Sequence, residues 1–153
     1  MDMHGIAQLK ADLRTNATHY NQNDFVITTP ECGTEMCMAG MCLMRKTGKE
    51  EFDALVAKYP KNSQRFNEFV DMCLLAGAEQ LGIELLSQEE YEDLSLEAGL
   101  DGDTLPAIFS KVSNWPDDLR EEYEEYSERH NHIGMAEVAC AALDRIDDNG
   151  TFV

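Results

Sequence analysis

Positive charge is what this chain lacks. Its 153 residues carry 12 Lys and Arg against 30 Asp and Glu, for a net charge of −18. The shortage is uneven. Residues 1–70 hold 8 bases and 9 acids, whereas residues 71–153 hold 4 bases and 21 acids. Such a field repels phosphates, which argues against direct binding of nucleic acid by the later half. No run of about 18 apolar residues occurs, so no transmembrane helix and no membrane partner are expected. The opening Met1-Asp2-Met3-His4-Gly5 has no basic stretch leading into an apolar one, so no secretory leader is expected. Cysteine is scarce and odd in number, five in all, with no framework spacing. A reduced, cytoplasmic setting therefore fits better than a disulfide scaffold.

What is present points to one helical domain over 1–153. The apolar fraction of 43% is enough for a single core. Ile6, Leu9, Leu13 and Ala17 share a helical face, which predicts a helix over 5–18. Phe25-Val26-Ile27, just before Pro30, allows at most a vestigial strand. A methionine-rich helix is expected over 35–46. Phe52, Leu55, Val56 and Tyr59 mark another, which Pro60 stops. Phe66, Phe69, Val70, Cys73, Leu74 and Leu81 make a broad stripe over 63–81, with Ser63 as N-cap and Gly82 as a left-handed C-cap. Ser87 to Glu90 matches a capping box, predicting a short helix over 88–95. Asp103 or Thr104 is expected to cap a further helix around Pro106, Ile108, Phe109 and Val112. Pro116, Asp117 and Asp118 start a helix that runs to Glu128, with Leu119, Tyr123 and Tyr126 inward. The last helix spans 134–147. The expected class is all-α, a compact bundle of six to eight short helices.

The segment Cys32-Gly33-Thr34-Glu35-Met36-Cys37-Met38-Ala39-Gly40-Met41-Cys42 puts three of the five cysteines within eleven residues. Gly33 and Thr34 read as a turn, and Ala39 and Gly40 as a small-residue step that lets another helix approach. The ordinary reading of these cysteines is packing. The chemical alternative makes Cys32 a nucleophile at a helix start, where the dipole lowers a thiol's pKa, with His132 and Asp144 as its partners. A metal site built from Cys32, Cys37, His130 and His132 lacks a zinc framework, because C-x4-C-x4-C is not paired with a second ligand pair. Asp147-Asp148-Asn149-Gly150 and Asp101-Gly102-Asp103 resemble pieces of a calcium loop. Arg145 occupies the first ligand position of the former, so both read as turns. No metal and no cofactor are expected.

Cys32-Gly33-Thr34 with Cys37, Ala39 and Gly40 resembles the CGT-x-x-C-x-A-G turn of a family of small proteins from bacteria and their phages. Gly77-Ala78-Glu79-Gln80-Leu81-Gly82-Ile83 is similar to that family's A-x-x-x-LG segment. Ile108-Phe109, Trp115-Pro116 and Ala141-Ala142-Leu143-Asp144-Arg145-Ile146 are similar to its LF…WP…A-x-x-RI close. Where the family commonly has an aromatic after the Ala-Gly step, this chain has Met41. The resemblance implies a cytoplasmic accessory protein of phage origin and no particular reaction. Together with the charge, it leads to the expectation of a non-enzymatic protein that docks a basic protein surface, in sharper form a nucleic-acid mimic aimed at a host nucleic-acid-binding protein. The carboxylates expected to carry this are Asp117, Asp118, Glu121, Glu122, Glu124, Glu125 and Glu128. The alternatives are a cysteine-dependent hydrolase or redox protein using Cys32, and a metal-stabilised domain.

Overall fold

The computed structural model describes residues 2–23, 26–29, 33–60, 63–83 and 106–153, with backbone alone for 26–29, 33 and 34. The described residues form an all-α fold of six α-helices with one two-stranded hairpin. The helices are α1 (Met3–Thr15), α2 (Met38–Thr47), α3 (Lys49–Lys58), α4 (Phe66–Leu81), α5 (Asp117–Glu128) and α6 (His132–Leu143). The hairpin pairs β1 (Val26–Thr29) with β2 (Gly33–Met36), antiparallel, from Val26 opposite Met36 to Thr29 opposite Gly33.

The amphipathic faces set the packing. In α1 the Asp2 carboxylate caps the first turn, accepting from the His4 and Gly5 amides at 3.0 and 3.2 Å. Ile6, Leu9 and Leu13 then point inward. The Asp2 amide donates to the Leu81 carbonyl at 2.9 Å, tying the start of α1 to the end of α4. The broad stripe of α4 lies against α2, while α1 packs on α6 and α6 on α5. Leu13, Tyr20, Phe52, Phe69, Leu81, Ile108 and Tyr123 all sit in the same buried cluster. Burying one such side chain contributes about 1.5–3 kcal/mol. Gly77 is required by close approach, since a Cβ there would lie 2.6 Å from the Phe109 ring.

Several expected boundaries move. Glu35 and Met36 belong to β2, so the methionine-rich helix begins at Met38 rather than at 35. Gly33 and Thr34 lie in that strand and are not a turn. The N-cap position of α4 is Arg65, and the Ser63 hydroxyl has no hydrogen-bond partner, so Ser63 does not cap. Gly82 does end α4 in the left-handed conformation, at φ 66° and ψ 35°. Around Ile108 and Val112 there are two short 3-10 turns, Ala107–Phe109 and Val112–Asn114, instead of an α-helix. The final helix starts two residues earlier than expected and stops at Leu143. The Asn131 carboxamide captures the Gly134 amide at 3.0 Å, and beyond Leu143 the chain folds back to pair Ile146 with Phe152. The capping box at Ser87 to Glu90, the helix over 88–95 and the caps at Asp103 and Thr104 lie outside the described residues.

Candidate functional site

Two arrangements stand out, one inside the protein and one on its surface. They share α5.

The interior arrangement is a polar knot beneath the hairpin. Gln22 is 2% exposed and uses its whole side chain. Its Oε1 accepts from the Tyr20 hydroxyl at 3.1 Å and from the Met38 amide at 3.3 Å. Its Nε2 donates to the carbonyls of Ser110 and Ile108 at 3.0 and 3.3 Å. Its backbone amide donates to the Tyr123 hydroxyl at 2.9 Å. One residue thus ties Tyr20, the first amide of α2 and the 3-10 turn at Ala107–Phe109 through its side chain, and α5 through its backbone amide. The Cys37 side chain makes no capping bond at the start of α2, so Gln22 supplies the acceptor there. Burial pushes the Tyr123 phenol up to about 12, partly offset by the Gln22 amide, and it pushes the Tyr20 phenol up as well.

Glu35 and His132 border this region. The Glu35 side chain is 10% exposed, and its Oε1 lies 3.9 Å from His132 Nδ1. That nitrogen is buried without a hydrogen-bond partner. His132 therefore faces Glu35 and not Asp144. His132 opens α6 and Asp144 is its C-cap, about 18 Å away along the axis. Asp144 instead pairs with Lys10. The grouping of His132 with Asp144 around a thiol is overturned by the length of one helix.

The described thiols lie inside the core. Cys37, Cys42, Cys73 and Cys140 are all buried. Loss of solvation raises the pKa of Cys42, Cys73 and Cys140, the opposite of what a thiolate nucleophile requires. Cys32 lies outside the described residues. The helix expected to begin just after it starts instead at Met38, with Cys37 in the N-cap position. Ala39 and Gly40 are buried on α2, which packs on α4. Trp115 is buried too. Its indole donates to the Ala107 carbonyl at 3.2 Å, and its ring meets Tyr123 and Phe152 with centroids 6.0 and 5.8 Å apart. Among the described residues no three His, Cys, Asp or Glu side chains gather to hold a metal ion. The Asp147 carboxylate accepts from the Asn149 and Thr151 amides at 2.9 and 3.0 Å, which makes the acidic end of the chain a turn.

The surface arrangement is the outer side of α5. Leu119 and Tyr123 anchor the helix in the core, and Tyr126 packs against it. The seven expected carboxylates are all exposed. Three are paired: Asp117 with Arg120 at 3.0 Å and Glu125 with Arg129 at 3.0 Å within the helix, and Asp118 with the distant Arg145 at 2.7 Å. Arg145 holds the Asp118 carboxyl below its usual range. Glu121, Glu122, Glu124 and Glu128 make no ion pair among the described residues. Eight further acids and no bases lie in 84–105, outside the described residues.

Sequence reasoning placed the acidic helix and its inner face. It missed Gln22, because a buried polar residue in an irregular segment leaves no periodic signal, and Glu35, because the strand that holds it was expected to be the start of a helix. No protein-family model, no curated protein and no solved structure matches this chain.

Proposed function

We propose that this chain is a non-enzymatic, acidic partner-binding protein that docks a basic protein surface through α5, in the manner of a nucleic-acid mimic. The observation that carries this reading is the row Glu121, Glu122, Glu124 and Glu128, four exposed carboxylates with no cation partner among the described residues, on a helix pinned by Leu119 and Tyr123. Counting Arg120, Arg129 and Arg145, the three bases paired to this helix, against the seven acids leaves four net charges along α5. Over a helix about 18 Å long that is about one charge per 4–5 Å, somewhat sparser than the 3.4 Å per charge of one nucleic-acid strand. The row is not favourable for the helix itself. Glu121 with Glu125 and Glu124 with Glu128 are like charges one turn apart, and Glu128 sits at the negative end of the dipole. A surface selected for solubility alone would spread its acids with more local compensation.

The resemblance of the cysteine segment to small proteins of bacteria and phages extends the proposal to a cytoplasmic accessory protein of phage origin. The partner would be a host protein whose own ligand is nucleic acid. Thiol chemistry at Cys32 and a metal-stabilised fold gain no support from the described residues.

The test compares two sets of substitutions against a basic nucleic-acid-binding protein captured at low salt. Changing Glu121, Glu122, Glu124 and Glu128 together to Gln should weaken binding by about tenfold or more and flatten its salt dependence. Changing Asp117 to Asn, Asp118 to Asn and Glu125 to Gln should weaken it less. Affinity that stays constant between about 0.05 and 0.5 M salt would refute the proposal.

A further inference from the structure

A groove of about 480 Å³ opens between α1, α2 and α3, on elements that the acidic helix does not use. Its size falls in the range of small-molecule sites, about 300–1,000 Å³. Its floor is made of thioethers: Met36 and Met41 are buried and Met44 half-buried. Methionine is the most conformable of apolar side chains, and its sulfur makes favourable contacts with aromatic rings. Such a floor accepts an apolar body of variable shape.

The rim carries charge of both signs. Asp12 and Arg45 face the groove already joined, with Arg45 Nη1 2.8 and 2.7 Å from the two carboxylate oxygens. They form a neutral pair with little left to offer a ligand. Lys49 and Asp53 are different. Both are exposed, both line the groove, and neither makes an ion pair among the described residues. They stand one turn apart on α3, with Cβ atoms about 5–6 Å from one another. The base precedes the acid, the weaker order for direct pairing on a helix, which fits their standing apart.

An open ammonium and an open carboxylate, side by side above an apolar floor, complement one chemical class. We propose that this groove binds a free α-amino acid with a large apolar side chain. Its carboxylate meets Lys49, its ammonium meets Asp53, and its side chain lies on Met36, Met41 and Met44. A carboxylic acid alone, or an amine alone, leaves one rim charge unanswered. An inorganic ion leaves the thioether floor empty.

The test uses the full chain with 13C-labelled methionine methyl groups, titrated with L-phenylalanine. Ring-current shifts should saturate and concentrate on Met36, Met41 and Met44. Two truncated probes separate the charges: 3-phenylpropionate lacks the ammonium, and phenethylamine lacks the carboxylate. Each should bind about tenfold more weakly than phenylalanine, in line with the loss of one charge-assisted contact. Asp53→Asn should remove the advantage of phenylalanine over 3-phenylpropionate, and Lys49→Gln its advantage over phenethylamine. Both positions are exposed, so the fold survives either change, and an unchanged thermal transition confirms it. Shifts that fail to saturate, that spread evenly over all methionines, or that are matched by 3-phenylpropionate at equal concentration would overturn the proposal.

Discussion

The two sides of α5 obey opposite rules. Inward, Tyr123 accepts from Gln22 in a buried knot where the polar atoms of Gln22 are used and the participants lie up to 101 residues apart in sequence. Outward, Glu121, Glu122, Glu124 and Glu128 have no cation partner among the described residues, and all four lie within two to three turns of one helix. The inner side maximises satisfaction and the outer side leaves it undone. Where water is excluded, an unmet polar group costs about 1–3 kcal/mol, so natural sequences close such networks. Where water is present, an unmet charge costs little, and it remains free to meet a partner.

The sharpest way to break that contrast is to empty the knot. Gln22→Ala strands the Met38 amide and the carbonyls of Ile108 and Ser110, and it takes the acceptor from the Tyr20 hydroxyl. The expected loss is about 2–4 kcal/mol of unfolding free energy, read from denaturant midpoints. A loss under about 1 kcal/mol would mean that water replaces the side chain, and that the knot is wetter than described. For comparison, the four Glu→Gln changes on the outer side should leave stability within about 0.5 kcal/mol of the parent or raise it.

A smaller effect comes from alkali. The Tyr123 phenol is raised from 10 to about 12 by burial, so the folded protein favours the neutral form. Its contribution is complete below the ordinary phenol range and is lost as pH rises through about 10 to 12. Two units correspond to about 2–3 kcal/mol at full effect, of which only part is reached before other groups titrate. Absorbance near 295 nm should show a tyrosine fraction that ionises only as the fold opens. Ionisation of every tyrosine at ordinary pH, with the fold intact, would contradict the burial.

The least effect is expected at the acid end. Arg145 holds the Asp118 carboxyl low, so this pair helps above the ordinary carboxylate range and stops helping as pH falls through the depressed value. Arg145→Gln should move the acid transition slightly upward in pH, with little change at neutrality, because the pair is exposed and screened. A large shift would show that this contact couples α5 to the chain end more strongly than a surface bridge can.

The helices were legible where one face repeated regularly. The spacing of Ile6, Leu9 and Leu13 and that of Leu119, Tyr123 and Tyr126 gave the correct faces, and Gly82 gave a correct stop. The hairpin was not legible in full. Gly33-Thr34-Glu35-Met36 has little β signal, and what holds it as a strand is pairing with Val26–Thr29, together with the Asn21 amide on the Met36 carbonyl at 2.9 Å. Assigning Glu35 to a helix hid its approach to His132. Starting the last helix at 134 hid the fact that His132 and Asp144 stand at opposite ends of it. The acidic row could be read from composition, but the division between compensated and uncompensated carboxylates depends on Arg145, 27 residues from Asp118.

The lone Trp115 sits against Tyr123 on one side and Phe152, next to last in the chain, on the other. Its fluorescence is therefore a built-in gauge of two events at once. Emission should move to longer wavelength when the closing residues peel away, and it should change in intensity when anything grips α5 firmly enough to shift the Tyr123 ring, with no dye attached and no residue replaced.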